Sequence, residues 1–529
     1  MNPRFAPGLG ESPATPARPP AIPVPGFGRA TVVLGDDGRA GAAAPRRGGP
    51  LRVAVVGGGV TGAAVAYHLA RSPETVVAPV TVFEPRPLLG AGLAYGTDDP
   101  THRINVPASK MSLLPDDEGH FARWIADTDA LADDREAILS DGRAFPRRAL
   151  FGRYVAASVA PLLASGRIAH VRARVVAVRP AAAGGWSVES ADGTVVGADI
   201  VVLAATHPAP AVPRGLEGLE GHPRFVADAT VPDALAPIRP RDRVLIVGTG
   251  LTMADIVASL EAGGHVGPVT AISRRGLLPR GHADRPVEPF GDFASAPSGT
   301  ARRLLREVRG TIAAAANLGL PWQPVIDAVR AQGGAVWAAL PLAERRRLVR
   351  HLRPYWDVHR FRIAPQLERL LRRLREAGRL EIAAASVASA VPAGVGDAAP
   401  IEVALAPRGG GRKTLAVDAV VLATGPAHGA ALAAQPFLAD LAAAGLLAAD
   451  PTGLGIACDR RSRALDAAGR PVETLLVAGP LARGTFGELM GLPQVTDHAA
   501  AVAAEILAAA SILAAAEVHD RGKREPAAR

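Results

Sequence analysis

The chain has 529 residues, 48% of them hydrophobic, which is enough apolar material to bury a large core in two or more domains. Its formal net charge is +9, but the arginines are scattered and only 4% of residues are aromatic, so we expect no nucleic-acid partner. The single Cys458 excludes an internal disulfide framework and a thiolate-ligated metal, and the histidines form no known metal motif. Redox chemistry would therefore need a bound cofactor.

Both ends of the chain differ in composition from the middle. Residues 1–50 are rich in Pro, Gly, Ala and Arg and lack the apolar run of a signal peptide, so we predict a disordered leader. The alanine-rich run at 499–516 is interrupted by Glu505 and predicts a buried helix rather than a membrane span, followed by a flexible tail at 516–529. The default expectation is a cytoplasmic protein without a membrane partner.

The first element pattern, starting at Leu51, is strand, glycine turn, helix and strand, written LRVAVV, GGGVTG, AAVAYHLA and VTVFE. Gly57, Gly59 and Gly62 match the G-x-G-x-x-G fingerprint in the context that a dinucleotide-binding βαβ unit requires. Glu84 ends the second strand, where a carboxylate accepts hydrogen bonds from ribose hydroxyls and disfavours a 2′-phosphate.

A second unit of the same kind begins at residue 243, with VLIV, GTGLTM, ADIVASLEAGG and VTAISRRG. Gly248 and Gly250 are present, but Met253 replaces the third glycine, so we expect helix and strand to pack less closely there. Arg274 and Arg275 follow the next strand, where guanidinium groups suit the 2′-phosphate of NADPH. A solvent-facing arginine pair is the structural alternative. Two nucleotide sites, one acidic and one basic, match a flavin that is reduced by NADPH.

The remaining segments complete the two units. Strand patterns after each βαβ unit predict a short antiparallel meander and a return strand, and an amphipathic, arginine-rich helical stretch occupies about 298–378. The predicted fold is α/β, with two Rossmann-like dinucleotide-binding domains, the NADPH domain inserted into the FAD domain, and an additional helical insertion. The predicted boundaries are 51–212 and 427–515 for the FAD-binding domain and 213–426 for the NADPH-binding domain.

From about Leu51 to about Leu513, the order of motifs resembles the FAD/NAD(P)-binding protein family of YdhS-like flavoproteins. The motifs that carry this resemblance are GGGVTG, LLGAGLAYGTDDPTHRINVPASKMSLLPDD, GTGLTMAD, SRRGLLPRGH, RPYWDVHRFR and VLATGP. That family is related to N-hydroxylating and flavin-containing monooxygenases, and it includes a nitrosuccinate-forming L-aspartate N-monooxygenase and an FAD-dependent urate hydroxylase. The resemblance implies FAD and NADPH as cofactors.

The resemblance also implies positions near the flavin. Asn105, in the segment His102–Ser112, is a candidate to hydrogen-bond the flavin or a peroxide, although Asn and Pro also mark ordinary turns. Related flavoproteins carry a Gly-Asp pair near the C-terminus, where this chain has Gly479 and a proline, and the following helix near Gln494 would point its N-terminus at the ring. Gly425 belongs to the return strand motif VVLATGP.

The segment WDVHRFR is the candidate substrate-binding element. On a predicted helix, His359 and Arg362 share a face and would look together into a cleft, and a positive site with Arg360 or Arg362 would suit an anionic substrate. An ion-pair cluster that anchors the helical insertion is the alternative.

The function that follows is hydroxylation of a small polar substrate, such as an amino acid, an amine or a purine like urate, by dioxygen through a C4a-hydroperoxyflavin. A reductase or oxidase without oxygen insertion is one alternative, and a flavin-bound regulatory or scaffold protein is another. The sequence leaves the substrate and the oligomeric state open.

Overall fold

The structure is a computed structural model that describes residues 49–524, except 207, 395–398 and 434, and for 428 and 512–524 it describes the backbone alone. The predicted leader at 1–50 lies outside the described residues apart from its last two positions. Within the described part of the chain, no helix is long and apolar enough to cross a membrane.

The first βαβ unit forms where the glycine fingerprint predicts it. Its elements are β1 (Val53–Val56), α1 (Val60–Ala70), β2 (Val80–Phe83), α2 (Gly92–Tyr95), α3 (His120–Asp127), α4 (Arg148–Ala164) and β3 (Ile168–Val171). A meander follows, with β4 (Val175–Pro180), β5 (Trp186–Ser190) and β6 (Val195–Ala198), and then β7 (Ile200–Leu203). Strand β7 pairs in parallel with β1, while β4, β5 and β6 form a separate antiparallel sheet.

The second unit repeats this arrangement. It contains β8 (Phe225–Val226), β9 (Val244–Val247), α5 (Leu251–Ala262) and β10 (Val269–Ser273). Six helices then interrupt the sheet: α6 (Ala301–Asn317), α7 (Gln323–Ala331), α8 (Gly333–Ala339), α9 (Leu342–His351), α10 (Arg353–Arg360) and α11 (Pro365–Glu376). The sheet resumes with β11 (Leu380–Pro392), β12 (Ile401–Pro407), β13 (Lys413–Val417) and β14 (Ala419–Leu422).

The last part of the chain returns to the first sheet. It comprises α12 (Pro436–Ala443), β15 (Arg463–Leu465), β16 (Pro471–Val477), α13 (Arg483–Phe486) and α14 (Gln494–Arg524). Strand β16 pairs in parallel with β7, so the first sheet has the order β15-β16-β7-β1-β2-β3 and the second has the order β13-β12-β11-β10-β9-β14-β8. The predicted fold class, with one dinucleotide-binding unit inserted into another, is confirmed.

The two meanders are built differently. In the first unit, β3 and β4 are separate strands in separate sheets, whereas in the second unit the single strand β11 pairs in parallel with β10 and then antiparallel with β12. The register shifts between Val387 and Ser389 in the antiparallel part. The single strand β11 therefore takes the place of the two strands β3 and β4 of the first unit. The alternation of apolar and polar residues did not distinguish these two arrangements. Helix α14 also continues to Arg524, beyond the predicted start of the tail at 516.

Candidate functional site

The first glycine turn lies so close to neighbouring backbone atoms that two of its positions leave no room for a side chain. Gly57 has a φ of +103°, and a Cβ at this position would lie 2.4 Å from the carbonyl oxygen of Ala204, at the end of β7. A Cβ at Gly62 would lie 1.8 Å from the oxygen of Gly57, so only glycine lets α1 start this close to β1. Both positions have the structural reason that the fingerprint predicts.

The N-terminus of α1 is open toward a ligand. Gly59 begins the helix in an extended conformation and provides no side-chain cap. A Cβ built on Gly59 would meet only the Cα of Gly92, at 3.6 Å. A side chain at Gly59 would therefore have room only against another glycine of the first unit. Uncapped N–H groups at a helix N-terminus are suited to the phosphates of a dinucleotide.

Glu84 is buried at the end of β2, beside the glycine turn. Its Oε2 accepts a hydrogen bond from Gly58 N at 3.1 Å, and its Oε1 accepts from Arg86 N at 3.1 Å and from Arg86 Nη1 at 3.3 Å. The carboxylate is thus fixed against the phosphate-binding turn. Because each carboxylate oxygen accepts more than one hydrogen bond, Glu84 retains capacity for ribose hydroxyls.

The second glycine turn is looser at its helix. Gly248 has a φ of +130° and a Cβ there would lie 2.1 Å from Ala423 O, while a Cβ at Gly250 would meet nothing within 4 Å. The first helical hydrogen bond of α5, from Ala254 N to Gly250 O, is 3.3 Å long, against 2.9 Å for Ala63 N to Gly59 O in α1. The fully buried Met253 occupies the third position, so a packed side chain stands where the first unit has Gly62.

The arginines after β10 have different surroundings. Arg274 is exposed. Arg275 donates from Nη1 to the Tyr355 hydroxyl at 3.0 Å, and its guanidinium carbon lies 4.9 Å from the centre of the Tyr355 ring. Stacking on the aromatic ring orients Arg275 and leaves other N–H groups of its five free for a phosphate. Helix α10 of the insertion therefore contributes to the predicted NADPH site.

A cavity of about 150 Å³ lies between the first unit, the insertion and the segment before α14. Its lining includes Asn105, Arg148 and Arg360, together with Tyr95 and the segment Met490–Leu492. Burial raises the pKa of Tyr95 to about 12, so this phenol keeps its proton. The predicted flavin-facing loop thus contributes Asn105 to the lining of this cavity.

Arg360 is the more deeply buried of the two arginines that line this cavity. Its side chain is only 2% exposed, and its Nε lies 2.5 Å from Glu488 Oε1. Its Nη2 is buried and has no hydrogen-bond partner among the residues that the structure describes. A buried guanidinium nitrogen without a partner is costly, and the cost disappears when an anion or another acceptor enters the cavity.

The predicted shared face of His359 and Arg362 is wrong. Helix α10 ends at Arg360, so Arg362 lies beyond it, and it forms a two-point ion pair with Asp327 at 2.7 and 3.1 Å. His359 Nδ1 donates to the carbonyl oxygen of Tyr355, 2.7 Å away, and His359 lines a different cavity. Both side chains contact the ring of Trp322, with centroid distances of 5.0 and 5.6 Å. The geometry matches the anchoring alternative, and Arg360 is the residue that reaches the cavity with Asn105.

Arg330 and Arg362 place further positive charge close to Arg360. Arg330 donates to Gln494 Oε1 at 2.7 Å and to the carbonyl oxygen of Leu492, so the predicted flavin-facing Gln494 is held by the insertion. Burial, and next the positive charge of Arg360, lower the pKa of Arg330 to about 9. This surplus of positive charge favours an anionic ligand nearby.

Gly479 has a φ of +68°, and a Cβ there would lie 2.5 Å from Thr61 Oγ1 on α1. Its N–H donates to His498 Nδ1 at 3.1 Å, and His498 Nε2 lies 3.0 Å from Ser462 Oγ. This close packing places the Gly479 turn directly over the start of α1. Gly425 also has a positive φ, +73°, but open space surrounds it.

Contacts between the two units involve residues that sequence reasoning missed. Arg148 pairs with Asp255 of α5 at 2.9 Å, and His282 donates from Nε2 to Asn105 O at 3.1 Å. Burial, and next the positive Arg362, lower the pKa of His282 to about 3, so this ring is neutral at physiological pH. The only sequence signals were a conspicuous LLPRGH motif and an arginine at the start of α4. Among the described residues, no group of three or more His, Cys, Asp or Glu is placed to hold a metal ion.

Comparison with known proteins agrees with this description. Residues 54–208 match a family model described as FAD-NAD(P)-binding, so this part of the chain is an FAD/NAD(P)-binding domain, as predicted. No curated protein matches the sequence.

Solved structures share the fold over nearly their whole length. The reduced form of ornithine hydroxylase from Pseudomonas aeruginosa has a TM-score of 0.60 and 18% identity, over 87% of this chain and 99% of that chain. L-lysine 6-monooxygenase from Pseudomonas syringae has a TM-score of 0.56 and 19% identity, over 88% and 99%. Ornithine N-hydroxylase from Kutzneria sp. 744, with reduced FAD, NADP+ and L-ornithine, has a TM-score of 0.55 and 18% identity, over 88% and 99%. The expected relationship to N-hydroxylating flavoproteins therefore holds at the level of the fold.

Proposed function

We propose that this protein is an FAD-dependent, NADPH-using monooxygenase that hydroxylates a small polar substrate, foremost an amine or an amino acid. The observation that carries the proposal is the buried Nη2 of Arg360, which has no partner in the described part of the chain and lies at a small cavity next to the Asn105 loop. Because a fold alone does not define an activity, the proposed reaction depends on the residues of the site.

The first unit fits FAD. The glycines at 57, 59 and 62 leave room for a diphosphate at the start of α1, Glu84 would hold the adenosine ribose, and the Gly479 turn would approach the ribityl chain. Bound FAD would supply the transfer of electrons from NADPH and the activation of dioxygen.

The second unit fits NADPH. Gly248 and the uncapped Gly250 would receive its diphosphate, and Arg274 with the stacked Arg275 would bind the 2′-phosphate. A carboxylate at this position would repel that phosphate, so the arginines favour NADPH over NADH.

The cavity then selects the substrate. Arg360, held by Glu488, would bind a carboxylate, while Asn105 would orient the polar group near the flavin. The partly buried Arg148–Asp255 pair and the neutral His282 would hold the two units together beside this space. The similar structures from Pseudomonas and Kutzneria act on ornithine and lysine, which are amino acids with such a carboxylate.

The test uses purified protein loaded with FAD and a panel of amines, amino acids and purines. We expect substrate-stimulated oxidation of NADPH and incorporation of one oxygen atom from labelled dioxygen into the product. A reductase or oxidase would consume NADPH without labelled product. A regulatory or scaffold protein would show neither, and correctly folded material that refuses FAD would overturn the whole proposal.

A further inference from the structure

A second, larger cavity lies inside the helical insertion, away from both glycine turns. Its volume is about 530 Å³, which is within the range of roughly 300–1,000 Å³ that small-molecule sites occupy. Its walls come from helices α6 to α10 and from residues 483–488, which comprise α13 and the start of the segment that follows it. We call it the insertion cavity.

The walls are mostly apolar, and the described part of the chain leaves several wall side chains only half-buried. Helix α9 has no buried residue, although its Leu348 and Val349 line the insertion cavity. Val308 and Ile312 of α6 line it as well and are only half-buried. These apolar side chains face a space that is open to solvent, so an apolar occupant is favoured because it would remove their surface from water.

One end of the insertion cavity is charged. Arg353, Arg483 and Glu488 line it, and Arg483 is 5% exposed. Glu488 is already bound by Arg360 on the side of the smaller cavity and by the Trp356 indole at 3.3 Å. It is therefore not available to neutralise Arg483 by itself.

The other carboxylate near this end does not balance the charge either. Asp357 accepts from Arg353 Nε at 3.3 Å, so its charge is already shared with Arg353. Arg483 is buried, its Nε donates to the carbonyl oxygen of Gly487 at 3.2 Å, and burial, followed by the positive charge of Arg353, lowers its pKa. The charged end of the insertion cavity thus has an uncompensated positive charge beside an apolar space.

We propose that the insertion cavity binds an apolar organic acid, with its hydrocarbon or aromatic body between α6, α7 and α9 and its carboxylate against Arg353 and Arg483. The apolar body covers the half-buried apolar side chains of α9, and the carboxylate neutralises the buried Arg483 beside the partly exposed Arg353. This site is separate from the proposed reaction, because it requires neither cofactor nor turnover.

The first test needs no variant. Isothermal titration calorimetry of the FAD-loaded protein uses decanoate below its micelle concentration, with decan-1-ol and decyltrimethylammonium as probes of equal chain length. We expect one decanoate per chain, bound at least tenfold more tightly than either other probe. Equal affinity for the alcohol would overturn the role of the cations, and the absence of saturable decanoate binding would overturn the site.

Two variants locate the binding. Val308→Trp fills the insertion cavity and should weaken decanoate binding at least tenfold, whereas Leu318→Trp, at a position that is 67% exposed, should leave it unchanged. Arg353→Gln should remove the preference for decanoate over decan-1-ol, and Arg302→Gln, exposed on α6, serves as its control. Unchanged binding in both test variants overturns the proposal even if the protein proves to be a monooxygenase. Confirmed binding in a protein without NADPH oxidation refutes only the proposed function.

Discussion

His498 makes the Gly479 turn sensitive to acid. Its Nδ1 accepts from Gly479 N, so its Nε2–H donates to Ser462 Oγ, and the ring is neutral. Burial lowers the pKa of His498 to about 4 from an ordinary 6.5. Protonation would place a second N–H on Nδ1, facing the N–H of Gly479. The hydrogen bond that holds this turn over α1 would be lost.

The sign and size of the effect follow from proton linkage. The unfolded chain binds a proton at His498 below pH 6.5 and the folded chain only below about pH 4, so stability from this group is present above pH 6.5 and is lost between these values. The full shift corresponds to about 3 kcal/mol, at about 1.4 kcal/mol per pKa unit. Between pH 8 and pH 5 the loss is about 2 kcal/mol.

The perturbation is His498→Asn, whose side-chain oxygen replaces Nδ1 as an acceptor and does not titrate. Urea unfolding at pH 8 and pH 5, followed by circular dichroism, should show that the variant loses about 2 kcal/mol less than the parent protein between the two pH values. Release of FAD should follow the same trend. His351→Asn, at an exposed position of α9, is the matched control and should keep the parental difference.

The reasoning is refuted if His498→Asn keeps the full pH dependence of the parent protein. Residual acid sensitivity in the variant is expected, because burial also lowers the pKa of His282, to about 3. That residue acts at the contact with the Asn105 loop rather than at the Gly479 turn.

Three further predictions concern the two nucleotide sites and the cavity. Gly62→Val should abolish FAD retention and lower the free energy of unfolding by roughly 3 kcal/mol, because its Cβ would overlap a backbone oxygen. The absorbance of the purified variant at 450 nm measures FAD retention, and Gly299→Val, where nothing lies within 4 Å of the added Cβ, is the control. Arg274→Ala should raise the KM for NADPH much more than that for NADH, and an equal change in steady-state assays with both would remove the 2′-phosphate assignment. Arg360→Met should lower the free energy of unfolding by about 3–5 kcal/mol, because it leaves the buried Glu488 without its cation. In denaturant titrations, adding Glu488→Met should restore most of this stability, and strictly additive losses would contradict the buried pair.

Local backbone requirements explain what was predictable from the sequence. Gly57, Gly62 and Gly248 each occupy a conformation or a contact distance that excludes a side chain, and this requirement is expressed in a few consecutive residues. Strand and helix periodicity around them predicted the two units and the helical insertion. The position of Glu84 beside the first turn followed from the fingerprint spacing and is observed.

The charged residues of the cavity depended on packing between distant segments. Periodicity predicted a helix at WDVHRFR, but α10 ends at Arg360, and His359 and Arg362 form hydrogen bonds with different partners although both contact Trp322. The spacing of His359, Arg360 and Arg362 therefore did not predict that Arg360 is the one that lines the cavity with Asn105.

What the sequence by itself determined is the pair of nucleotide-binding turns and their order along the chain, because each turn is a local steric pattern. The tertiary structure alone decided that Arg360 meets Glu488, 128 residues away, and that Arg148 meets Asp255 across the two units. Amphipathic patterns specify which face of an element is buried but not which other face covers it, so pairings of this kind arise only when the whole chain packs.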